Sequence, residues 1–298
     1  MSLATVTPAE FAALGRLDLI ARLVVEGFLV GLHRSPFHGF SSEFAEYRAC
    51  FPGEPVTHVD WRVYAKSDRL YRKVFSEETN LRATLLVDCS ASMGYGSDPA
   101  RPTKLAYARL LAASLARLLL RQNDAVGLEL FDSRRLGSVP ARAVRRQLFE
   151  ILKRLDDLPA GRGTALGPVL HEVAERLPRR GLVVLISDLM DSPAEVADGL
   201  RHFRHRGHEV IVFQVLDPRE LDLDFKGEAR FRDLERPDRT LRLEPAHARA
   251  AYRERFAAWR GEVRGACRRE RIDLVETSTD TPFDRALLAY LSKRRRLA

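Results

Sequence analysis

Asp88, Ser90 and Ser92 alternate in the run Asp88-Cys89-Ser90-Ala91-Ser92. Two further oxygen-bearing sites lie far downstream, Gly161-Arg162-Gly163-Thr164 and Ser187-Asp188. A tight loop can aim the three alternating side chains at one point. Pro168 fixes a helix start close behind Thr164 and leaves that hydroxyl in a loop, because proline suits a first helical turn but not an interior. Asp88, Ser90, Ser92, Thr164 and Asp188 together offer carboxylates and hydroxyls, with no imidazole or thiolate. Oxygen-only ligation selects a hard cation, Mg2+ or Mn2+. Two carboxylates cancel a divalent charge without surplus and leave the metal electrophilic. The natural visitor is a carboxylate from a partner protein.

These residues need elements that bring them together. Arg82 to Val87 is a near-continuous apolar run, as expected of a strand buried on both faces, and it ends at Asp88. Thr103 can cap a helix carrying Leu105, Ala108, Leu111, Leu115 and Leu118. Ala125 to Phe131 reads as a second strand and Leu136 to Val139 as a short edge strand. Helices are expected at 141–156, 166–177 and 193–206, with buried strands at Leu182 to Ile186 and Val210 to Val215. Such alternation implies α/β architecture, a mostly parallel sheet with helices on both faces. In such sheets ligands bind at the carboxyl ends of the strands, where all three oxygen-bearing sites fall. Residues 218–245 break the rhythm as a charged insertion with a hairpin from Ala229 to Leu243, turning at Pro237-Asp238. A long helix at 246–270, a strand at Ile272 to Glu276 and a helix at 283–293 follow.

Upstream, residues 8–33 read as helical and 34–80 as turn-rich, with β runs at Val56 to Tyr64 and Leu70 to Phe75. The expected division is an accessory region over 1–80 and an α/β domain over 81–298. The chain has 298 residues, 45% of them hydrophobic, enough for a sizeable core. Its formal net charge is +8, and the basic residues are mostly arginine. Acidic residues are interspersed among them except in the tail Lys293-Arg294-Arg295-Arg296, so a solvated surface is the reading, with nucleic-acid binding the alternative. Three cysteines exclude a disulfide scaffold and suit a reducing compartment. Leu17 to Leu32 carries Asp18, Arg22 and Glu26 and is no membrane span; with no signal peptide, a cytoplasmic location is expected.

Other chemistries fit less well. Cys89 lacks a histidine placed to activate it and reads as a buried small residue. Neither serine sits in a Gly-x-Ser-x-Gly elbow, and no phosphate-binding loop or Gly-x-Gly-x-x-Gly follows a strand. His202, His205 and His208 lack a fourth zinc ligand and read as a solvated helix face. Asp60-Trp61-Arg62 reads as a structural lock. A metal-dependent hydrolase would need a general base, for which Asp98 is the nearby free carboxylate. The expectation is a binding protein and not an enzyme.

At Asp88, Ser90, Ser92, Thr164 and Asp188 the chain resembles the von Willebrand factor A domain with its metal-ion-dependent adhesion site. The resemblance implies that the two serines coordinate metal directly, and that the threonine and the aspartates do so directly or through water. Leu189 departs from the pattern, since many members have glycine after the final aspartate. A longer resemblance, over about residues 30–215, is to the bacterial domain-of-unknown-function family 58. Its carriers here are Phe44-Ala45-Glu46-Tyr47-Arg48, Pro52-Gly53-Glu54, Asp60-Trp61-Arg62, Ala65-Lys66, the Lys73 to Glu78 run and Leu85 to Met93. That resemblance implies a von Willebrand factor A-like domain over 81–298, a MoxR-type AAA+ ATPase as partner, and a chaperone-like role in assembling or activating other proteins.

Overall fold

The computed structural model describes residues 17–34, 47–49, 71–73 and 81–294, apart from 145, 159, 160, 162, 164, 179 and 237. The chain divides into two compact units. Residues 31–80 form one, in which β1 (Tyr47–Ala49) pairs antiparallel with β2 (Tyr71–Lys73). The amino-terminal helix α1 (Leu17–Arg34) belongs as far as Val30 to the other unit, with residues 81–298. It therefore sides with the sheet domain, whereas a division at residue 80 would leave it outside. The expected β run at 56–64 lies outside the described residues.

The large unit is built on β3 (Arg82–Asp88), α2 (Lys104–Arg121), β4 (Ala125–Phe131), β5 (Arg135–Arg142), α3 (Arg146–Asp156), α4 (Leu166–Arg176), β6 (Leu182–Ser187), α5 (Pro193–His205) and β7 (Glu209–Leu216). Then come α6 (Pro218–Asp222), the hairpin β8 (Ala229–Arg232) and β9 (Thr240–Leu243), α7 (Pro245–Arg269), β10 (Asp273–Ser278) and α8 (Phe283–Arg294). One sheet has six strands in the order β10-β7-β6-β3-β4-β5. All neighbours are parallel except β5, which runs antiparallel at the edge. This is the expected α/β arrangement, a mostly parallel sheet flanked by helices.

The central strands form because their side chains have apolar partners on both faces. Leu85, Leu86, Val184, Leu185, Ile211 and Val212 are fully buried, and each aliphatic side chain so removed from water contributes about 1.5–3 kcal/mol. One core layer joins α4, α5 and the end of α7 through Leu170, Val173, Phe203 and Val263 to the sheet face carrying Leu86, Leu185 and Val212. Thr103 caps α2 as expected, its Oγ1 accepting the Ala106 amide at 3.2 Å. The edge strand is longer than its apolar run, eight residues, and carries Pro140, which an edge tolerates because its outer side needs no ladder donor. That length displaces the start of α3 from 141 to Arg146. The order of the central strands matters for function. The connection from β3 leads to β4 on one side, while β6 flanks β3 on the other. The carboxyl ends of β3 and β6 thus border the crevice at the topological switch point.

Candidate functional site

Asp88 closes β3 and Asp188 follows β6, so two of the expected ligands come from adjacent strands at that crevice. Both are buried. The Ser90 amide donates to Asp88 Oδ1 at 2.8 Å, which bends the chain sharply after the strand. The Ser90 and Ser92 hydroxyls lie 3.1 Å apart, so alternation in the sequence becomes convergence in space. Cys89, between Asp88 and Ser90, points away into the core and is fully buried. Burial, with the nearby Asp88 charge adding to it, pushes its thiol up to about 12, which removes it as a nucleophile. Ser187 crosses from β6 to donate to Asp88 Oδ2 at 2.6 Å and accepts the Leu189 amide at 2.9 Å, tying the two loops together.

Leu189 occupies the left-handed region, with φ of 59°, and its side chain is fully buried. The glycine that the resemblance leads one to expect would adopt this backbone without strain. Leucine adopts it at a cost, and burial of its side chain holds it there. The loop keeps its turn through the Asp191 amide donating to the Leu189 carbonyl at 2.7 Å.

Thr164 lies outside the described residues, but both flanks of its loop are held at the same rim. The Gly161 amide donates to the Cys89 carbonyl at 2.5 Å. On the other side, Asp191 Oδ2 accepts the Leu166 amide at 2.9 Å at the start of α4. Gly161 is required by close approach: a Cβ there would stand 2.7 Å from the Cys89 carbonyl oxygen and from Asp132.

The sequence reading missed Lys104. This lysine is fully buried at the first turn of α2, and its Nζ lies 2.7 Å from Asp188 Oδ2 and 2.6 Å from Glu220 Oε1. Burial works against its charge, but the two carboxylates more than offset that and hold its pKa above the ordinary lysine value. Glu220 sits on α6, whose start is a capping box: Asp217 accepts the Arg219 amide and Glu220 accepts the Asp217 amide. The Asp217-Pro218-x-Glu220 spacing after a strand was the available signal for this short helix. Burial, reinforced by Asp188, raises the Asp88 pKa above the ordinary carboxylate range. Burial is also the main cause of the raised pKa of Glu220.

Asp188 and Glu220 therefore share a single buried lysine, and Asp88 adds a third carboxylate close to Asp188, so negative charge is in excess. That excess, beside two converging hydroxyls, fits a hard divalent cation. Asp88, Ser90, Ser92 and Asp188 could hold it, with Thr164 from the loop between Gly161 and Leu166.

The other candidates separate. Asp98 accepts the Ala100 amide and pairs with Arg101. The amide bond and then the arginine hold its pKa below the ordinary value, which ill suits a general base. The three histidines of the 202–208 segment do not converge. His202 meets His171 and Glu175, whereas His208 is buried beside Phe203 and so is not part of a solvated face. Among the described residues no group of three or more His, Cys, Asp or Glu side chains gathers to hold a metal. Surface arginines are widely engaged by acids, as Arg260 and Arg264 are by Glu276. Asp60-Trp61-Arg62 lies outside the described residues.

Residues 46–264 match the family described as "Protein of unknown function DUF58". The chain belongs to that family. An uncharacterized protein of Mycobacterium tuberculosis is 29% identical to this DUF58 chain over 293 residues, covering 97% of it and 91% of the relative. Among solved structures, an aerotolerance-related membrane protein from Bacteroides fragilis aligns with a TM-score of 0.48 at 16% identity, covering 72% of this chain and 99% of the other. The VWA domain of SpRpn10 aligns with a TM-score of 0.40 at 10% identity, covering 70% and 94%. The cytoplasmic location expected from the sequence is contradicted by the first of these, an aerotolerance-related membrane protein. Among the described residues no helix is long and apolar enough to cross a membrane, which by itself does not place the chain.

Proposed function

We propose that this DUF58 protein is a metal-dependent protein-interaction module and not an enzyme. Asp88, Ser90, Ser92, Thr164 and Asp188 hold Mg2+ or Mn2+, and an Asp or Glu of a partner completes the shell. The observation that carries this reading is the convergence of the Ser90 and Ser92 hydroxyls, 3.1 Å apart, beside two buried carboxylates at the sheet's switch point. When bound, the cation supplies an electrophilic corner for the visiting carboxylate. The residues of this chain do the rest. Ser187 and the Ser90 amide orient Asp88, and Lys104 holds one oxygen of Asp188 while the Met190 amide holds the other at 3.0 Å.

The resemblance within the family supports a MoxR-type AAA+ ATPase as the partner, with a chaperone-like role in assembling or activating other proteins. The test is affinity for a purified MoxR-type ATPase, measured with Mg2+ and with chelator, for wild type and Asp88→Ala. Binding that needs both the metal and Asp88 supports the proposal, and equal affinity in all four cases rejects it.

A further inference from the structure

An open groove of about 660 Å³ starts at Ser92 and Met190 and runs along the hairpin insertion. All four residues of β8 line it, and the lining continues through Asp233, Leu234 and Glu235. Side chains of a strand alternate between faces, so a groove lying against one face would collect every second residue. A groove that collects consecutive residues follows the strand's edge. β8 is bonded to β9 on one side, and among the described residues no strand pairs with its other edge.

The groove also contains aromatic surface, with Phe225 set edge-on to Phe231 at 5.3 Å and Tyr252 lining the same space. Its acids are mostly committed. Glu220 is held by Lys104, and Asp233 accepts the Glu235 and Arg236 amides. Arg230 and Arg232 are exposed, and neither makes an ion pair with a described residue. With Glu220 paired to Lys104, the charges left on the lining are Arg219, Arg230 and Arg232 against Asp233 and Glu235, a small positive surplus.

We infer that the groove takes an extended segment of a partner protein, which adds a strand to the free edge of β8. Aliphatic side chains of that segment lie on Phe225, Phe231 and Tyr252. Its acidic side chains meet Arg230 and Arg232, and one terminal Asp or Glu reaches the corner at Ser92. Only that last contact rests on the metal reading proposed above. The hairpin, an insertion in the fold, is then the element that selects the partner, while the metal loop supplies a shared anchor.

The experiment selects random dodecapeptides displayed on phage against the full chain in millimolar Mg2+. The recovered sequences are synthesised with a fluorescent label and titrated by anisotropy. Peptides alternating aliphatic and acidic residues are expected. Arg230→Glu combined with Arg232→Glu should weaken them at least about tenfold, while the circular dichroism melt stays that of wild type because both side chains are exposed. Methylating the peptide's backbone nitrogens should weaken binding at alternate positions only, since strand addition uses every second amide.

If the arginine reversal and the alternate methylations weaken binding but chelation and Ser92→Ala do not, the groove stands and the metal reading falls. If chelation abolishes binding while the reversal and methylations leave it unchanged, the metal reading stands and the groove proposal is overturned. Recovery of no peptide above a control selection also overturns it, whether a second copy of the chain or an oligonucleotide proves to occupy the groove.

Discussion

Replacing Lys104 with methionine isolates the charge that organises the site. Methionine keeps the unbranched stem, so the packing of the first turn of α2 changes little and the ammonium is lost. Lys104 is fully buried between Asp188, also fully buried, and Glu220, at 2.7 and 2.6 Å. Removing one partner of a buried pair leaves an uncompensated buried charge and costs about 3–5 kcal/mol. Here two carboxylates are left, so the upper part of that range is expected. Urea unfolding followed by far-ultraviolet circular dichroism at neutral pH, with chelator present, reads the loss as a shift in midpoint at constant slope.

The pH dependence has a defined sign. Glu220 already has a raised pKa from burial, and loss of the lysine raises it further. A carboxyl with a raised folded pKa binds more protons folded than unfolded, so its penalty shrinks as pH falls. The gap between variant and wild type should therefore narrow toward pH ~5. Millimolar Mg2+ should recover part of the deficit, about 2.7 kcal/mol if the cation stands at a hundred times its Kd. A variant within about 1 kcal/mol of wild type at neutral pH, or a gap that widens on acidification, would refute the reasoning.

Three further outcomes follow from the same geometry. Gly161→Ala should cost about 1–3 kcal/mol in urea unfolding, because its methyl would meet backbone at 2.7 Å, whereas Gly163→Ala, with its nearest neighbour at 4.0 Å, should stay within about 0.5 kcal/mol. In a Cys50→Ser background the native protein should react with a thiol reagent at neither remaining cysteine, since burial pushes Cys89 up to about 12 and Cys267 up to about 11; two thiols should appear in urea. Burial lowers the His208 pKa, so the unfolded chain takes up its proton first, and stability should fall below pH ~6.5 by at most about 1.4 kcal/mol per pH unit; His208→Phe should flatten that slope in urea titrations across the range.

The fold was legible where burial is two-sided. β3, β4, β6 and β7 are nearly continuous apolar runs, the pattern of strands covered on both faces at the centre of a parallel sheet. The hairpin was legible from its turn residues, with β8 and β9 falling inside the expected 229–243 span. The ends of β5 were not. Arg135 and the Pro140-Ala141-Arg142 segment carry no apolar alternation, and only pairing with β4 makes them a strand.

For the site, alternation in Asp88-x-Ser90-x-Ser92 correctly placed two hydroxyls together, because a turn after a buried strand leaves such side chains little else to face. Lys104 was invisible for a physical reason. A lysine in the first turn of a helix is ordinarily solvated, and its partners here lie 84 and 116 residues away. Nothing local marks such a pair. The final aspartate loop is a further case: Leu189 breaks the expected glycine pattern, yet the backbone still turns through positive φ because its side chain is locked in the core.

The claim on which the account rests is that these oxygens share a divalent cation. The most direct measurement is an anomalous difference map from a crystal of the full chain grown in Mn2+. One peak is required at the carboxyl ends of β3 and β6, within bonding distance of Ser90 Oγ and Ser92 Oγ, and absent from Asp88→Ala. Mn2+ density elsewhere only, or a peak at the same place that survives loss of Asp88, would contradict it.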